Sequence, residues 1–82
     1  MDPKMEELFV RLVRLGLDGG DNAYLSSSGQ APAEVVSIGK QLNDLGGMEA
    51  MRGGHANVGH HVGPLAARLL ESAWDGIGSW RG

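Results

Sequence analysis

Glycine is the residue that most limits what this chain can build: 14 of its 82 positions are glycine, more than twice the usual share of about 7%. Each glycine enlarges the conformational freedom that folding must remove, and inside a helix each costs about 1 kcal/mol relative to alanine. A chain of this length holds one core, and a small core leaves little surplus over the entropy of ordering it. Four aromatic residues, Phe9, Tyr24, Trp74 and Trp80, are available to fill that core. The sequence therefore predicts a single small domain over residues 1–82 whose stability draws on a partner subunit or larger assembly.

Several classes of protein do not fit. With no cysteine there is no disulfide, thiolate metal site or cysteine nucleophile, which suits a reducing compartment. No apolar run is longer than that of Leu8-Phe9-Val10, far below the ~20 residues that span a bilayer. Asp2, Glu6 and Glu7 do not suit a secretory or transit leader. The expected location is intracellular and cytoplasmic, without a membrane. The net charge of −3 is spread so that neither half is basic, which argues against nucleic acid as a partner, since such binding rests on phosphate neutralisation.

Hydrophobic spacing predicts an all-α fold, a bundle of three or four short amphipathic helices with a glycine-rich loop after the first. Asp2 as cap, Pro3 at the first helical position and Glu6 and Glu7 near the positive helix end mark a start. Met5, Leu8, Phe9, Leu12 and Leu15 then give a buried stripe over residues 3–16, which Val10, Val13 and Leu17 are expected to widen. Gly16 or Gly19-Gly20 can end the helix. Residues 18–31 lack either period and read as a flexible loop or linker, with Tyr24 and Leu25 available to pin its middle.

Pro32 and Glu34 begin a second helix over residues 32–45, with Ser28 or Gln30 as imperfect caps and Val35, Ile38, Leu42 and Leu45 as its stripe. Gly39 lies beside that stripe, where a neighbouring helix can approach closely. Gly46-Gly47 ends it. Residues 48–61 repeat apolar positions at Met48, Met51, His55, Val58 and Val62, but Gly53, Gly54 and Gly59 oppose the helix, which should fray or break near Gly53-Gly54 unless packing holds it. Pro64 starts the strongest pattern, Leu65, Leu69, Leu70, Ala73, Trp74 and Ile77, over residues 64–75. Residues 76–82 form a tail carrying Trp80. No segment alternates as a strand does, and none repeats another at a fixed period.

Chemistry is sparsely marked. A metal would have to use His55, His60 and His61, with Glu49 or Asp75 as oxygen donors. However, helical ligands are normally four residues apart, and His55 and His61 are about 120° apart around a helix. No metal and no cofactor are expected, although the 55–61 segment is the alternative basis for a small metal- or ligand-binding protein. The same histidines could respond to pH. Ser26, Ser27 and Ser28 lie in the loop and Ser37 in mid-helix, without a marked base. Glu6 with Glu7 and Asp18 with Asp21 are explained by a helix start and a hydrophilic loop. Gly76-Ile77-Gly78 follows a helix rather than a strand, so it does not match a phosphate-binding fingerprint. Gly46-Gly47 is accounted for by a plain turn.

The expectation is therefore a non-enzymatic interaction or assembly module that binds another protein or another copy of itself. Trp74, Ile77, Trp80, Met48 and Met51 are its candidate partner-binding residues, with Arg81 beside Trp80 as an interface-prone neighbour. Trp74, Met48 and Met51 also suit a core.

Overall fold

The computed structural model describes residues 3–78 and 80, with Asp21 described by its backbone alone. The Asp2 cap and the tail residues Ser79, Arg81 and Gly82 lie outside the described residues. The fold is all-α. Helix α1 (Pro3–Gly19) is followed by a 3-10 turn (Gly20–Ala23), then by α2 (Ala33–His61) and α3 (Pro64–Ala73). Among the described residues no helix is long and apolar enough to cross a membrane.

Helix α1 outruns its expected end and stops where Gly20 takes φ +68°, a value that costs glycine little. The segment expected to be a flexible loop is held by local bonds. Its first two residues, Asp18 and Gly19, belong to α1, the next four form the 3-10 turn, and the buried Tyr24 donates its hydroxyl to the Leu12 carbonyl at 2.6 Å. Beyond Tyr24, the Ser26 and Gly29 amides donate to the carbonyls of Gln30 and Ser26, and the Gln30 amide donates to Ser26 Oγ at 3.1 Å. Ser28 and Gln30 are thus used within the loop, and α2 begins after Pro32 without a side-chain cap.

Helix α2 contains the break that its glycine pair foreshadowed. Gly47 has φ +62° and ψ −144°, outside the helical region and strained for any L side chain. In a straight helix Leu42 and Gly54 would stand about 18 Å apart along the axis. Here a Cβ placed on Gly54 would lie 3.1 Å from Leu42 Cδ1, so the arm over 48–61 folds back against the arm over 33–46. The second arm does not break at Gly53-Gly54. Those positions receive neighbouring side chains: a Cβ on Gly53 would be 3.0 Å from Phe9 Cζ, and one on Gly54 would be 3.0 Å from Trp74 Cη2. Packing supplies what helix propensity lacks.

Gly63, at φ +149°, turns the chain into Pro64, the first residue of α3. The buried face of α3 is Ala66, Ala67, Leu70 and Ala73, whereas Leu65 is exposed. Of the expected stripe, Leu70, Ala73 and Trp74 are in the core and Leu69 and Ile77 pack against it, so only Leu65 departs from it, at the turn where Ala66 and Ala67 do the packing. Leu45 likewise comes out exposed, next to the Gly47 break.

Trp74 is the centre of the core. It is fully buried, its indole N–H donates to the Val35 carbonyl at 2.9 Å, and its ring lies on the bare backbone of Gly39 and Gly54. The close approach expected at Gly39 is therefore made by an indole. Leu8, Leu12, Ile38, Leu42, Met51, Val58 and Leu70 complete the interior. Among the described residues no buried side-chain nitrogen or oxygen lacks a partner.

Candidate interaction surface

Helix α1 carries two apolar stripes. Leu8, Leu12 and Gly16 are buried, with Met5, Phe9 and Leu15 packed against the core. Val10, Val13 and Leu17 recur at steps of 3 and 4 residues, the spacing of a helix–helix seam, which Pro3 and the charged Glu6 extend toward the N-terminus. That second stripe faces away from the interior. Val10 is 55% exposed and Leu17 63% exposed, with Val13 half-buried between the faces. Val10 and Leu17 therefore do not widen the buried face as expected. A core of this size is filled by one face of α1, and a helix whose apolar residues cover much of its circumference leaves the rest uncovered.

Beside this stripe runs an open groove of about 550 Å³. Phe9, Val10, Val13 and Leu17 form its apolar side, Asn57 and His61 from the second arm of α2 form the opposite wall, and Glu6 and Arg14 stand at its rim. Glu6 and Arg14 are both exposed, and neither forms an ion pair among the described residues. The pair that does link α1 to α2 is Arg11 with Glu34, at 2.6 Å on the surface. Its exposure limits it to about 1 kcal/mol or less.

The residues that the sequence marked as partner contacts have different fates. Trp74 and Met51 are fully buried, and Trp80 is 5% exposed. Trp80 returns to the core through turns at Gly76 and Gly78, both with positive φ. Its ring meets Trp74 edge-on at 5.5 Å, its indole N–H donates to the Trp74 carbonyl at 3.2 Å, and its own carbonyl accepts from Arg52 Nε at 2.9 Å. These three residues fill the fold and offer a partner little surface. Ile77 is half-buried against the core, and Met48 is 41% exposed beside Leu45. Neither borders the groove.

The histidines are placed apart from one another in role. His55 Nε2 lies 3.1 Å from Glu71 Oε2, and its ring stands 5.3 Å from that of Trp80. Glu71 was not singled out in the sequence, since nothing local links it to a residue sixteen positions earlier. His60 and His61 face each other edge-on at 4.8 Å and are exposed. Among the described residues no three His, Cys, Asp or Glu side chains gather as a metal site would require. Ser26 and Ser28 share a hydroxyl contact of 2.9 Å, and Ser37 accepts from Gln41.

The signal that could have identified the groove was present in the run Leu8-Phe9-Val10, because three consecutive apolar residues cannot all face one side of a helix. No protein-family model matches the chain, and no curated protein or solved structure matches it.

Proposed function

We propose that this chain is a non-enzymatic helical interaction module whose contact surface is the outward face of α1. The observation that carries this reading is the exposure of Val10 and Leu17 at 55% and 63% beside a groove of about 550 Å³. Burying apolar surface yields about 25 cal/mol per Å², so a groove with an apolar wall and charged rim favours a docked helix, in the manner of helix-in-groove recognition. Partner contact moves from the tryptophans, which are committed to the core, to the second stripe of α1.

The test is photo-crosslinking of the full chain in its source cell, with a benzophenone amino acid at position 10 and, as control, at the exposed Arg68 on α3. Adducts of one defined mass are expected from position 10 and not from position 68. No adduct from position 10 refutes the α1 surface.

A further inference from the structure

We propose that the occupant of the α1 groove is α1 of a second copy of this chain, packed antiparallel about a two-fold axis at Val10. This rests on the reading of α1 as the contact surface and names its partner. The argument is charge complementarity. Glu6 and Arg14 are four residues to either side of Val10 on the exposed face, about 6 Å from it along the axis. In an antiparallel pair centred on Val10, Glu6 of each copy comes level with Arg14 of the other, so both ends are neutralised together. The same register sets Val10 on Val10 and Leu17 on Pro3 of the second copy, and brings Val13 level with the exposed Glu7.

A parallel pair in register would instead set Glu6 against Glu6 and Arg14 against Arg14, opposing like charges at both ends. An isologous contact needs a surface complementary to itself under two-fold rotation, and this face has an acid and a base equally spaced about an apolar centre. The two groups also form no ion pair among the described residues, so pairing requires no internal bridge to be broken. Each second-copy helix would lie between α1 and the Asn57 and His61 wall, and the symmetry repeats this on the other side. The contact is one helix face, below the size of standard interfaces, so its Kd is expected on the order of 10–100 μM.

The experiment is analytical ultracentrifugation of the full chain at low ionic strength, with Glu6→Arg, Arg14→Glu, their 1:1 mixture and the doubly substituted chain. Circular dichroism checks that each variant is folded, which is expected because both positions are exposed. Each single variant alone should dimerise about tenfold or more weakly than the wild type. The mixture should form a heterodimer, because each contact in it again joins an acid to a base, and the doubly substituted chain should recover wild-type association. A wild type that stays monomeric to about 1 mM overturns the self-pairing. A wild type that dimerises while the mixture associates no better than its components overturns the antiparallel register. Crosslinking from position 10 to a protein other than this chain overturns the self-pairing and leaves the α1 surface standing, whereas no adduct at all overturns both.

Discussion

Replacing Gly39 with alanine tests the central claim about the core, that an indole sits on a bare helix backbone. On helix propensity alone the change should stabilise by about 1 kcal/mol. The structure reverses the sign. A Cβ on Gly39 would lie 2.5 Å from Trp74 Nε1 and 2.8 Å from Cδ1, too close for atoms of a ring that is fully buried. Forcing a methyl into a packed core costs about 1–3 kcal/mol. If the ring retreats, the 2.9 Å bond from Nε1 to the Val35 carbonyl is lost, and a buried donor left unpaired costs about 1–3 kcal/mol more. Setting the propensity gain against these leaves a net loss of about 3 kcal/mol. For a domain of this size that lowers Tm by about 10–25 °C. Gly59→Ala is the matched control, since its Cβ would meet Ala67 Cβ at an ordinary 3.6 Å and the propensity gain of up to about 1 kcal/mol should be kept. Thermal and urea unfolding, followed by circular dichroism and indole fluorescence, should show opposite signs for the two variants. A Gly39→Ala protein as stable as the wild type would refute the seating of Trp74.

Burial pushes the Tyr24 hydroxyl up from 10 to about 12, partly offset by a hydrogen bond from the Gly16 backbone. Since the unfolded chain loses this proton first, the contribution of neutral Tyr24 is complete below about pH 10 and is lost between there and about pH 12. Tyr24→Phe should cost about 1 kcal/mol at neutral pH and show a shallower alkaline decline in urea titrations; an unchanged decline would discount Tyr24. At Gly47, whose φ is +62° and ψ −144°, L-alanine should destabilise by about 1–3 kcal/mol. D-alanine in a synthetic chain should be tolerated, because that geometry mirrors the polyproline II conformation, and equal losses for both would argue against the break. Trp80→Ala should lower the unfolding free energy by about 3–5 kcal/mol at concentrations where the chain is monomeric, as befits a core residue; a change confined to association would contradict its placement.

Element starts and stops were legible because they depend on local backbone chemistry. Pro64 begins α3 and Gly47 divides α2, and the positive φ of Gly20 and Gly63 sits at the element boundaries. The uninterrupted helix through Gly53 and Gly54 was legible in period but not in strength, since its support comes from Phe9 and Trp74, which are distant in sequence. The site was less readable. The spacing reads Val10, Val13 and Leu17 as widening one buried face, since periodicity does not say how much of a helix a small core will take, and Val10 and Leu17 stand exposed instead. Tryptophan suits cores and interfaces alike, so only the turns at Gly76 and Gly78 decide that Trp80 points inward. The contact of His55 with Glu71 arises from helix packing, which no spacing within 48–61 could reveal.

The glycines also bear on whether the fold needs a partner. Their abundance suggested a marginal core whose stability draws on a partner, yet glycine is what lets three of the four aromatics reach the backbone. Tyr24 lies on Gly16, Phe9 on Gly53, and Trp74 on Gly39 and Gly54. Burying an indole of about 200 Å² at about 25 cal/mol per Å² gives about 5 kcal/mol, more than the roughly 2 kcal/mol lost to two helical glycines. The single chain thus fills its own interior, and the surface it leaves uncovered is a helix face rather than half a core. Association through α1 should therefore be reversible between folded monomers, unlike obligate dimers that have no stable folded monomer. Diluting the protein through its dissociation constant, with helicity and Tm read at each concentration, should leave helicity unchanged and lower Tm by only a few degrees. Loss of helicity in step with dissociation would mean that the aromatic core is not sufficient, and that the second copy supplies part of the fold itself.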